Sequence, residues 1–266
     1  MPLPTFKRVV FNRNPLFGVS AQVRFHPILR IQVEAPAEFQ EAIRSQFAGY
    51  QVVNPAAIAI PPAIPPEVQA AMRSSLQSSL NISFERAHRF ESSDGNWTVQ
   101  LSQGSMTMAC KAYPRWEDFR EKFRPVLESF IRIYSPPFLV AVGLRYQNAI
   151  ERSKLGLDSV KWSVLLKPFI AAEFSVEDIS ESDIVSDLHR FEFKDGADRI
   201  LVQHGMATNQ VTKESVYSID CNLSSTGKVE LTDVFLRLNQ LNKHSGSLFR
   251  LCITDRLFNS LEPVDI

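Results

Sequence analysis

The sequence predicts an α+β protein: a tandem duplication of a β-α-β(3-4)-α unit, with antiparallel sheets carrying helices on one face. Three observations predict it. The phrase HRFESSDG at residues 88–95 returns as HRFEFKDG at 189–196, an offset of 101 that also carries Val99 to Ile200, Leu101 to Val202, Gly104 to Gly205 and Thr107 to Thr208. VSAQVRFHPI (19–28) is echoed by VAVGLRYQNAI (140–150), which sets Val23-Arg24-Phe25 against Leu144-Arg145-Tyr146. Each half then closes on a long apolar stripe at helical spacing.

The elements follow in order. In the first half, 1–138, residues 17–33 alternate as a strand, and 36–47 place Phe39, Ile43 and Phe47 on one helical stripe behind Pro36. A proline-rich insertion over 54–80, with a short helix expected from 67 to 80, separates these from strands near 84–93, 96–103 and 105–112. Asp94-Gly95 and Gly104 mark the turns. A helix over 114–134 presents Trp116, Phe119, Phe123, Leu127, Phe130 and Tyr134 on one face, with a kink expected at Pro125. The second half, 139–266, repeats the order. A strand spans 139–152, and a helix over 159–174 is expected to bury Trp162, Leu165, Leu166 and Phe169. Strands follow near 184–194, 198–208 and 214–222, then a helix over 229–250 and a short terminal helix capped by Thr254.

Composition excludes several classes. Lysine plus arginine and aspartate plus glutamate are equal at 29 each, so no global field favours nucleic acid or an anionic membrane. The charge is uneven, with 15 basic and 11 acidic residues (+4) in 1–138 against 14 and 18 (−4) in the remainder. No apolar run reaches membrane-spanning or signal-peptide length, and Cys110, Cys221 and Cys252 are too dispersed for a disulfide framework or a CxxC metal site. A cytoplasmic, reduced protein is expected, with no membrane partner.

No phosphate loop, GxGxxG, GxSxG elbow or HExxH is present, so the sequence favours a non-enzymatic role over a catalytic site of dispersed residues, and names no catalytic residue. Cys110 and Cys221 read as small core residues at matching strand positions. His88 and His189 invite a metal reading, but strand parity places Glu91 and Glu192 on the opposite face. Core histidines satisfied by a turn carbonyl or an aspartate are therefore expected, with no metal and no cofactor. The same parity turns Phe90, Phe191, Val23 and Leu144 inward and displays Arg24, Arg89, Glu91, Arg145, Arg190 and Glu192 on the helix-free face. These six are the candidate partner-binding residues. Their plain reading is cross-strand pairing that keeps a sheet soluble; their functional reading is guanidinium recognition of carboxylate, phosphate or an acidic partner.

The element order resembles that of the TATA-box-binding protein and of the helix-grip folds. NPLFGVSAQVRF (14–25), VGLRYQNAI (142–150) and LNQLNKHSGSLFRLCITDRL (238–257) also resemble a sporadically distributed bacterial family of uncharacterised proteins of similar length. That resemblance implies an accessory role, such as phage defence or toxin neutralisation. The expected function is recognition of a protein partner. The alternatives are a small-molecule carrier, with its cavity between the sheet and the Phe119, Phe123 and Phe130 face, and a nucleic-acid-binding saddle, which the neutral balance disfavours.

Overall fold

A computed structural model describes residues 3–53, 86–176, 178–184, 187–209 and 212–265. The proline-rich stretch 54–80 and its expected helix lie outside them. The chain is a mixed α+β protein built on one large antiparallel sheet with helices. In chain order the strands are β1 (Val9–Phe11), β2 (Leu16–Arg24), β3 (Gly49–Val53), β4 (Ala87–Glu91), β5 (Trp97–Leu101), β6 (Ser105–Cys110), β7 (Leu139–Ile150), β8 (His189–Asp195), β9 (Asp198–Thr208), β10 (Ser215–Val229) and β11 (Pro263–Asp265). The helices are α1 (Leu29–Val33), α2 (Ala37–Ile43), α3 (Trp116–Tyr134), α4 (Arg152–Leu155), α5 (Trp162–Leu165), α6 (Val234–Cys252) and α7 (Asp255–Ser260).

Nine strands form a continuous sheet in the order β3-β4-β5-β6-β2-β7-β10-β9-β8, and β1 pairs with β11 in a separate ribbon. The centre is the antiparallel β2–β7 pair, where Val19 faces Tyr146, Ala21 faces Leu144 and Val23 faces Val142. From that pair the two arms run outward through strands of the same chain order, and β3 adds one further strand to the first arm alone. The polar-apolar alternation through the middle of β2, β7 and β10 assigns every second residue to the core and leaves its neighbours on the opposite face. α3 supplies Trp116, Phe119, Phe123, Leu127 and Phe130 to that core, all buried. α6 supplies Val234, Leu238, Leu241 and Leu248 and packs on β7 and β10. Thr254 caps α7, its hydroxyl accepting from the Leu257 amide at 3.5 Å.

Several predicted boundaries move. The first strand ends at Arg24, and residues 29–33 form α1, because Pro27 interrupts the alternating run. The helix predicted over 159–174 breaks into α5 and two 3-10 turns, Pro168–Ile170 and Ala172–Ser175. Pro168 has no amide to continue the helix. The backbone there bonds instead to the α6–α7 junction: Lys167 N–H donates to Cys252 O at 2.9 Å and Thr254 N–H to Leu165 O at 3.0 Å. Phe169 is consequently 56% exposed, and Ile170 and Phe174 take the inward positions. Cys110 is the last residue of β6 whereas Cys221 lies in the middle of β10, so the two are both buried but not at matching positions. Burial pushes the Cys110 thiol up to about 11 and the Cys252 thiol up to about 12.

Leu144 sits at the middle of the joint, opposite Ala21 on one side and Leu223 on the other. Leu144→Ala is expected to cost about 2–5 kcal/mol of unfolding free energy, read as a lowered urea midpoint.

Candidate functional site

The helix-free face of the sheet has a polar surface made by the alternation itself. Ser20, Gln22 and Arg24 on β2, Thr107 on β6, Gly143 and Arg145 on β7, and Asn222, Ser224 and Thr226 on β10 surround a shallow depression of about 170 Å³ at the β2–β7 joint. Gly143 helps keep it open: a Cβ there would meet Leu223 O at 3.1 Å, and no side chain fills the middle. Gln22 Nε2 donates to Thr107 Oγ1 at 3.0 Å, which fixes one wall. Among the described residues no helix covers this face.

The six predicted residues all turn to that face, but they do not converge. Arg24 and Arg145 share the depression. Arg89 and Glu91 on β4, and Arg190 and Glu192 on β8, each lie three strands away from the joint, roughly 14 Å at ordinary strand spacing. Arg145 is only 14% exposed because Asp220, diagonal to it on β10, accepts from its Nε at 2.9 and 3.0 Å and from Nη2 as well. Arg89 pairs with Glu91 at 3.6 Å, and Glu192 with Arg199 at 2.8 Å. Arg24, Arg190 and Lys194 have no carboxylate within ion-pair distance among the described residues, so the face retains unpaired positive charge. Sequence reasoning missed Asp220, Asn222 and Ser224. Their signal was available in the alternation of SIDCNLSS, whose polar members are the outward ones.

A second cavity, a groove of about 680 Å³, lies between the β1–β11 ribbon, the start of α3 and the second half of α6. Phe11, Leu16, Phe249 and Phe258 give it an apolar wall, with Phe11 edge-on to both other rings at 5.9 and 5.7 Å. Tyr146 hydroxyl donates to Asn242 Oδ1 at 2.8 Å at its floor, and burial pushes this phenol far above its ordinary value. At the rim Arg8 holds Glu117 in a two-pronged contact of 2.6 and 2.8 Å, which lowers the carboxyl to about 2. Phe119, Phe123 and Phe130 are fully buried and do not line the groove, which instead lies against Tyr146 and Asn148 of β7 and the second long helix, α6.

The two histidines of the repeated phrase have different fates. His88 is fully buried: Nε2 donates to Ile31 O at 3.0 Å and Nδ1 accepts from the Tyr50 hydroxyl at 3.0 Å, as expected for a satisfied core histidine. His189, expected in the core, is instead 51% exposed, because β8 is the sheet edge and among the described residues has no counterpart of β3 to cover it. Its Nε2 lies 2.6 Å from Asp187 Oδ1 and 3.7 Å from Glu173 Oε2, and its ring stacks on His204 at 5.3 Å. Burial, followed by the neighbouring Glu173, pushes the Asp187 carboxyl up to about 6. The two turn glycines keep their expected role: Gly95 and Gly196 have φ of 66° and 61°.

No protein-family model matches the chain, and no curated protein matches it either.

Burial lowers the His88 pKa, so below pH 6.5 the unfolded chain binds a proton that the folded chain resists. Stability contributed by neutral His88 is present above 6.5 and is lost as pH falls below it. The urea midpoint of the protein is expected to drop between pH 7.5 and 5, and by less in His88→Gln than in the unchanged chain.

Proposed function

We propose that this chain is a non-enzymatic recognition protein of the bacterial cytoplasm, serving an accessory system such as phage defence or toxin neutralisation. It binds an acidic surface of a protein partner through the helix-free face. The observation that carries the reading is the central depression. Hydroxyls, amides and two guanidinium groups meet there, one guanidinium neutralised by Asp220 and the other, Arg24, uncompensated. A carboxylate of the partner seated between Ser20, Asn222 and Arg24 would complete the charge balance that Asp220 supplies for Arg145. The flanking Arg190 and Lys194 extend the positive surface along one arm and orient the partner.

The reading also takes the sheet as a duplicated unit with TATA-box-binding-protein-like or helix-grip-like topology. Support for it comes from the matching strand order of the two arms and from the repeated HRFE phrase, which stands on the fourth strand of each arm counted from the joint. Partner affinity is expected to fall at least tenfold, about 1.4 kcal/mol, in Arg24→Glu and in Arg190→Glu, with melting temperature unchanged. Arg145→Glu is expected to lower the melting temperature as well, because it leaves Asp220 facing a second carboxylate. Retention of DNA at low salt that Arg24→Glu abolishes would reassign the face to nucleic acid.

The groove favours a second reading, a carrier of a small, mainly apolar molecule, because its size and aromatic wall suit such a ligand. Gly246 borders the groove on α6, and a Cβ there meets nothing within 4 Å. Gly246→Phe is expected to fill the groove and remove any co-purified mass seen by native mass spectrometry, while stability stays equal or rises by about 0.3–0.5 kcal/mol from the helix interior.

A further inference from the structure

Glu173, Asp187 and His189 come from three separate places: the 3-10 turn Ala172–Ser175, the residues leading into β8, and the first residue of β8 itself. Their donor atoms all lie within 4.8 Å of one another. Two carboxylates are therefore held side by side, and among the described residues no lysine or arginine lies within ion-pair distance of either. The Asp187 side chain is only 8% exposed, and its Oδ2 is buried without a well-formed hydrogen bond; the same holds for Glu173 Oε1. The Met206 backbone and the Glu173 carboxyl bond to Asp187, yet the arrangement stays costly for a protein left to itself, since two carboxyls are held together in a largely buried setting.

The backbone fixes this arrangement. Gly205 has φ of 149°, and a Cβ there would lie 2.0 Å from Asp187 O, so only glycine lets the Asp187 backbone pass against β9. His204 stacks beneath His189, and its own position is fixed by Tyr217: that hydroxyl donates to Ile170 O and so accepts from His204 Nδ1 at 2.8 Å. The His189 ring is thus backed by a rigid platform with Nε2 directed at both carboxylates, while its half-exposed edge leaves a route in from solvent.

We propose that Glu173, Asp187 and His189 form a binding site for a divalent first-row transition ion, with Zn²⁺ and Mn²⁺ as the probes of choice. One imidazole nitrogen and two carboxylate oxygens are a mixed donor set suited to that class rather than to the all-oxygen cages of Ca²⁺. Four ligands around Zn²⁺ stand about 3.3 Å apart, and the His189–Asp187 and His189–Glu173 separations of 2.6 and 3.7 Å bracket that spacing. A bound ion replaces the missing positive charge. It takes the lone pair of His189 Nε2, whose proton moves to Nδ1 or to solvent, and leaves a coordination position for water.

The test uses tag-free protein stripped with chelator and desalted. Zn²⁺ binding is followed by calorimetry and Mn²⁺ binding by electron paramagnetic resonance; Mn²⁺ discriminates against the three thiols. One saturable equivalent per chain is expected, with affinity at least tenfold weaker in Glu173→Gln and in His189→Ala while the metal-free melting temperature of both variants is kept. No saturable binding of either ion, or equal affinity in both variants and the unchanged protein, overturns the proposal. These two substitutions are chosen because Glu173 and His189 are partly exposed, so the test does not depend on Asp187→Asn folding.

Discussion

The pairing of β2 with β7 is the constraint on which the molecule rests. Each strand is the innermost of its arm, and joining them antiparallel, Val19 to Tyr146 through Val23 to Val142, makes the two arms one sheet of nine strands. Fused, the two arms share a core into which α3 and α6 both pack. The joint also creates the polar depression, because the residues alternating with Val19, Ala21, Val23 and Leu144 are Ser20, Gln22, Gly143 and Arg145. Core and polar face are thus two readings of one alternation.

The repeated phrase shows how one sequence acquires two roles. In β4 the HRFE segment is enclosed, since β3 lays Tyr50 against His88 and Phe90. Among the described residues no strand lies beyond β8, and the equivalent histidine meets Glu173 and Asp187 rather than a tyrosine hydroxyl. An imidazole that is inert in one arm becomes chemically available in the other, without any change in the phrase itself. Exposure of an edge is usually a liability in a sheet; here it creates the conditions for a ligand.

Much of the fold was legible because its signals were local. The strand alternation, the stripe of α3 from Trp116 to Phe130, the Asp-Gly turns and the outward direction of the arginines each follow from a period or a turn preference. What was hidden depended on distant partners. Trp162, Leu165, Leu166 and Phe169 fit a helical stripe, yet Pro168 and the pull of the α6–α7 junction break it. Asp220 neutralises Arg145 across a strand pair that sequence order does not announce. No local pattern marks Glu173 or Asp187, and only the fold of the second arm brings them to His189. The short β1 is invisible without β11, which lies at the other end of the chain.

That last ribbon carries a kinetic consequence. Val9 to Phe11 leave the ribosome before every strand of the large sheet, and their partners Pro263 to Asp265 after all of them. The groove that the ribbon borders cannot be complete until β11 has followed α6 and α7 off the ribosome. Because long-range pairings of this kind form slowly, the first arm has time to condense on α3 before the ribbon closes. Closure of the groove is therefore a late event in folding, and any molecule held there arrives after the sheet has formed.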